Sequence, residues 1–91
     1  MVDLIPVETG LLGSNIRYLR RRKHLSQFQF GKMVGLSETM VFCIERGLFR
    51  GILKEPMLTI CRLYGITQEE LFYEDLPVKL KRKRLKPTAT E

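Results

Sequence analysis

The side chains best equipped for chemistry stand in one short stretch, VGLSETMVFCIERG, from Val34 to Gly47. Ser37 is a good N-cap, since its hydroxyl can accept a backbone N–H of a following first turn. A helix over 38–46 then turns Val41 and Ile44 inward and leaves Glu38, Thr39, Phe42 and Cys43 outward. A carboxylate, a hydroxyl, a phenyl ring and a thiol are tools for contact rather than for turnover. Catalysis finds little support elsewhere. The single histidine, His24, ends a basic helical segment, and no glycine-rich phosphate loop, metal-ligand pair or nucleophile turn is visible. Cys43 and Cys61 lie in apolar helical patterns without CxxC spacing, so they read as reduced packing residues of a cytoplasmic protein. Glu69 and Glu70 read as first-turn acids that suit a helix dipole. No catalytic residue, metal site or cofactor is expected, and the chain is not read as an enzyme.

Composition points to the class of partner. The 91 residues hold 16 Lys+Arg against 10 Asp+Glu, a formal charge of +6. Residues 1–13 carry two acids and no base, 14–76 carry ten bases and seven acids, and 77–91 carry six bases and one acid. A basic excess favours an anionic partner, nucleic acid or an anionic surface. No apolar run reaches membrane-spanning length, and the start lacks the pattern of a signal peptide.

The elements that must position these residues follow from caps and spacing. Residues 1–13 form an N-terminal arm with the makings of an edge strand, broken by Pro6. Ser14 is expected to cap a first helix over 15–23, with Ile16 and Leu19 inward and Leu25 plugging its end. Ser26 caps a second helix over 27–34, with Phe30, Met33 and Val34 inward. Gly31 inside it costs roughly 1 kcal/mol against alanine, so close approach of another segment should compensate. Gly35 and Gly47 suit left-handed C-terminal positions. The stretch LFRGILKEP reads as an apolar loop, and Pro56 opens a fourth helix over 56–64 with Met57, Ile60, Cys61 and Tyr64 inward. Thr67 and Glu70 form a capping box for a fifth helix over 68–74, with Leu71 and Phe72 inward. Pro77 is expected to close the folded part. The organisation is therefore an arm over 1–13, an all-α domain of five helices over 14–76, and a basic tail over 77–91.

The second and third helices, joined at Gly35, meet the demands of a helix-turn-helix: a small residue where the helices cross, a positive-φ turn, and apolar residues at 30, 34, 36, 41 and 44. From Ile16 to Leu76 the chain resembles the Cro/cI-type (XRE) helix-turn-helix family of phage repressors and bacterial regulators. The resemblance rests on IRYLRRRKHLSQFQFGKMVGLSETMVFCIERG and LTICRLYGITQEELF, about two-thirds of the chain. Alanine is usual in that family where Gly31 stands, and the loop after Gly47 is longer and more apolar than usual.

The resemblance implies double-stranded DNA as partner, with the helix over 38–46 in the major groove. It implies that Ser37, Glu38, Thr39, Phe42 and Cys43 face base edges, and that Gln27 donates to a phosphate. It also implies a structural ion pair between Arg20 and Glu45. Two roles fit Glu38, a base reader or a first-turn acid. Two fit Cys43, contact with a thymine methyl or packing. Lys32, Arg46 and Arg50 are expected at phosphates; two roles fit Arg17 and Arg21, a phosphate contact or, by default for scattered charges, a solvated face. The tail bases Lys79, Lys81, Arg82, Lys83, Arg84 and Lys86 are too dense for an ordinary helix face and are expected to attract phosphates without folding. The alternation in PVKLKR also allows a short strand paired with the arm. The leading expectation is a sequence-specific regulator of phage, mobile-element or restriction-control type that binds as a homodimer. Its rivals are a protein-interaction adaptor using Phe42 and the LFRGIL loop, and a DNA-binding antitoxin.

Overall fold

Caps and apolar spacing set most of the helix boundaries, and packing overrides them in a few places. The computed structural model describes residues 3–8 and 10–80. In order, it has strand β1 (Leu4–Pro6), helices α1 (Leu12–Arg22), α2 (Gln27–Val34) and α3 (Glu38–Arg46), strand β2 (Gly51–Leu53), and helices α4 (Lys54–Tyr64) and α5 (Gln68–Tyr73). Residues 76–80 are also helical. The fold is mainly helical, with a small two-stranded ribbon added.

One core joins these elements. Ile16 and Leu19 of α1, Phe30 and Val34 of α2, Val41 and Ile44 of α3, Ile52 of β2, Met57 and Ile60 of α4, and Leu71 and Phe72 of α5 are all buried, with Leu36 and Leu76 between elements. Burial of each such aliphatic or aromatic side chain favours the fold by roughly 1.5–3 kcal/mol. The capping box of α5 forms as read: Thr67 Oγ1 accepts from the Glu70 N–H at 3.1 Å and Glu70 Oε1 from the Thr67 N–H at 2.8 Å.

Four expectations are corrected. Ser14 does not cap α1. The helix begins at Leu12 after a Leu11 N-cap that makes no side-chain bond, and Ser14 Oγ donates to the Leu11 carbonyl at 3.2 Å. Burial of Leu12, with the Leu11 N–H donating to Phe72 O at 2.7 Å, extends the helix past the local signal. Met33 lies at the edge rather than inside, because Phe30, Gly31 and Val34 centre the buried face of α2. The stretch after Gly47 is not all loop. It contains β2, which pairs antiparallel with β1 in the register Leu4↔Leu53, Ile5↔Ile52 and Pro6↔Gly51, and α4 follows directly at Lys54. The arm is thus an edge strand whose partner is β2, anchored by fully buried Ile52, and not the tail. Finally, Pro77 does not end the folded part. It sits in the first turn of the 76–80 helix, where its missing N–H does no harm, behind the buried Leu76.

One buried polar residue closes the helical end. Asn15, 1% exposed on α1, donates through Nδ2 to the carbonyls of Leu71 (2.8 Å) and Glu74 (2.7 Å) and accepts at Oδ1 from the Leu76 N–H (3.2 Å). Carbonyls that end α5 would otherwise lack partners. One amide supplies them and links α1, α5 and the 76–80 helix.

Candidate functional site

The α2–α3 unit is built from two caps and a forced close approach. Ser26 Oγ accepts from the Gln29 N–H at 3.0 Å while Gln29 Oε1 accepts from the Ser26 N–H at 2.9 Å. Gly35 ends α2 in the left-handed region at φ 93°. A Cβ on Gly31 would stand 2.3 Å from the Leu36 carbonyl oxygen, so the turn into α3 rests directly on this glycine. Here even alanine would collide. Ser37 Oγ then accepts from the Met40 N–H at 3.0 Å and starts α3.

The start of α3 is open to solvent. Ser37, Glu38 and Thr39 are exposed, Phe42 is 38% exposed, and Cys43 is half-buried behind them. Val41 and Ile44 face the core. The helix therefore presents hydroxyls, a carboxylate and a ring along its outward side, as its spacing suggested. Arg46, one turn beyond Phe42, carries its guanidinium carbon 5.1 Å from the Phe42 ring centroid. Lys32 stands 5.5 Å from the ring centroid of Phe28 on α2 in the same way.

Behind this face lies a charged clamp. Arg20 Nε donates to Glu45 Oε2 at 2.7 Å and Arg20 Nη2 to Glu45 Oε1 at 3.0 Å. The Glu45 side chain is fully buried and that of Arg20 is 12% exposed. Arg20 Nη1 also donates to the Leu25 carbonyl at 2.9 Å, which fixes the turn after α1. These carboxylate hydrogen bonds raise the Arg20 pKa above its ordinary value, against burial that lowers it. A Cβ on Gly13 would lie 2.4 Å from the Ile44 carbonyl oxygen, so α1 and α3 meet backbone to backbone beside the clamp. Gln27 Nε2 donates to the same Glu45 Oε1 at 3.2 Å, and Arg17 Nε lies 3.7 Å from it. The clamp thereby reaches the first residue of α2. The sequence leaves Arg17 to a phosphate contact or a solvated face. Its place beside Glu45 follows only from the crossing of α1 and α3.

Arg46 and Arg50 line one cleft of about 460 Å³ together with Glu8 and the start of α1. Lys79 is elsewhere: its ammonium pairs with Glu70 Oε2 at 3.2 Å, on the α5 side of the molecule. Lys81, Arg82, Lys83, Arg84 and Lys86 lie outside the described residues. Burial pushes the Cys61 thiol pKa up, with the Glu70 charge adding to it, which suits a packing role. Among the described residues no group of His, Cys, Asp or Glu is arranged to hold a metal ion, and no helix is long and apolar enough to cross a membrane.

No family model matches the chain. The P22 c2 repressor, solved in complex with a synthetic operator, superposes with a TM-score of 0.63 at 28% identity, over 74% of this chain and all of that one. A transcriptional regulator from Listeria innocua shares the fold with a TM-score of 0.59 at 16% identity, over 81% of this chain and 74% of that one. A glutamine–fructose-6-phosphate aminotransferase of Methanocaldococcus jannaschii is 32% identical over 62 residues, 68% of this chain. The chain spans only 6% of that protein's length, so the likeness concerns a short segment of it. With its capped helix pair and glycine-seated turn, the chain has the Cro/cI-type helix-turn-helix fold of these repressor and regulator structures.

Proposed function

We propose that the chain is a transcriptional regulator that binds double-stranded DNA with α3 in the major groove. The observation that carries this reading is the outward polar face at the capped start of α3, on a fold like that of a repressor solved bound to its operator. Glu38 can accept from cytosine N4, and Thr39 can bond a base edge or pack its methyl on thymine. Ser37, whose Oγ accepts from Met40, keeps its proton for an acceptor. Cys43 lies one turn further along. Gln27, Lys32, Arg46 and Arg50 serve phosphates, which set register and affinity but carry no base identity. The tail bases Lys81, Arg82, Lys83 and Arg84 add to this attraction, whereas Lys79, expected among them, is paired with Glu70. Arg20 and Glu45 stay structural.

The regulator acts as a homodimer on a near-palindromic site with half-sites about one DNA turn apart. Leu48, 71% exposed three residues before β2, supports a protein contact there, with a second copy as the occupant. The setting we assign is a phage, mobile element or restriction-control system, in line with the likeness to the P22 c2 repressor.

Selection of bound sequences from random duplex DNA, with the stoichiometry of the complex, tests the reading. A palindromic motif, a two-chain complex and affinity that falls steeply with salt are expected. Glu38→Ala and Thr39→Ala should each alter the motif, and removal of residues 78–91 should make the salt slope shallower with the motif unchanged. No salt-dependent duplex binding would sink the proposal and leave the protein-adaptor role in its place.

A further inference from the structure

A phenyl ring offers no hydrogen bond to a base edge, yet Phe42 stays partly exposed on the outward side of α3. What its ring face meets is a cation, the Arg46 guanidinium, at 5.1 Å. The spacing from i to i+4 sets the two on adjoining turns of one helix face. Arg46 is also the basic residue in the last turn of α3, where the helix end attracts positive charge. The electron-rich ring face and the helix end therefore draw on the same guanidinium. An arginine free at a helix end samples many rotamers, and ordering it on binding works against affinity. A cation–π contact draws on the guanidinium's charge and not on a hydrogen-bond acceptor, so its N–H donors stay available for a phosphate.

We infer that Phe42 is a positioning residue, which holds the Arg46 guanidinium ready for a DNA phosphate and does not itself read a base. The inference rests on the proposed function, since it needs DNA as the partner of α3. The same spacing on α2, Phe28 with Lys32, shows that such a stack forms more than once on the helix-turn-helix unit.

The test is a double-mutant cycle with the full chain on two probes, a duplex selected by the wild type and a random duplex. Phe42→Leu should weaken binding to both by about two- to five-fold, the scale of one exposed cation–π contact. Phe42→Tyr, which keeps the ring face, should bind like the wild type. Arg46→Ala should weaken binding and make the salt slope shallower by about one unit. In the Arg46→Ala background, Phe42→Leu should change nothing, and the motif selected by Phe42→Leu should match that of the wild type. If Phe42→Leu melts early, Phe42→Met takes its place, with similar length and no ring. Equal losses in both backgrounds, or an altered motif, would overturn the inference alone, because the ring would then be touching DNA directly. A wild-type chain with no salt-dependent binding to either duplex would overturn the proposed function together with it.

Discussion

Helix α1 is fixed at two buried polar junctions that differ in kind. Toward α3, Arg20 meets Glu45 side chain to side chain, with charge on both partners. Toward α5, Asn15 meets only backbone groups, the carbonyls of Leu71 and Glu74 and the amide of Leu76. Both junctions leave no orphan: among the described residues no buried side-chain N or O lacks a hydrogen-bond partner. The lesson lies in what can be exchanged. A pair of side chains can be replaced together by another pair, because both partners are encoded residues. A side chain that satisfies backbone has partners no substitution can remove, so its own identity is fixed by geometry.

The largest expected effect comes from breaking the charged junction on one side. Arg20→Ala leaves a fully buried carboxylate with only Gln27 and the half-exposed Arg17 beside it, and should cost about 3–5 kcal/mol in urea unfolding. Wild-type stability in that variant would mean the clamp is not structural. Breaking the neutral junction comes next. Asn15→Ala should cost about 2–4 kcal/mol, from one lost amide and several backbone groups left without a partner.

Asn15→Asp sharpens the contrast through pH. Its carboxylate would face two carbonyl oxygens, which raises its pKa in the folded state. The variant's stability should therefore be greatest below the ordinary aspartate range and fall as pH rises through the folded value. A flat profile between pH 3 and 7 would count against the two carbonyl contacts. The paired replacement Arg20→Met with Glu45→Leu should return to within about 1 kcal/mol of wild type, since apolar pairs of similar volume often match a buried ion pair. Failure to recover would show that Gln27 and Leu25 depend on the charges themselves. The smallest effect belongs to a third, surface junction. Lys79→Ala removes the pair with Glu70 and should cost less than about 0.5 kcal/mol, because water and salt screen exposed charges.

Legibility in the sequence follows the same division. Serine caps, glycine stops and apolar spacing marked α2 and α3 to the residue, and with them the outward face of α3. The Arg20–Glu45 pair came from the family register. Asn15 carried no such signal: a polar residue within a basic helix reads as solvated, and its partners lie 56 to 61 positions away and are backbone atoms. The β1–β2 pairing was hidden for a related reason, since two three-residue strands have little periodicity and register depends on what Ile52 buries. Gln27 shows the limit for site residues. Its place at the start of α2 was legible, but its hydrogen bond to Glu45 depends on the depth at which α3 crosses α1. The phenyl–cation stacks could have been found from i, i+4 spacing alone, at Phe28 with Lys32 and Phe42 with Arg46.

The β1–β2 ribbon has a consequence for how the chain finds its fold. Its strands flank the whole α1–α3 unit, so pairing Ile5 with Ile52 closes a long loop before any contact between them is gained. Closure of that kind is slow beside the short-range docking of α2 on α3. The helix-turn-helix unit should therefore assemble first and the ribbon clasp it afterwards. In a refolding experiment with pulsed hydrogen exchange, amides of α2 and α3 would gain protection before the Ile5 and Ile52 amides. The arm is then a late fastener whose loss loosens the flank of the molecule while the helix pair keeps its shape.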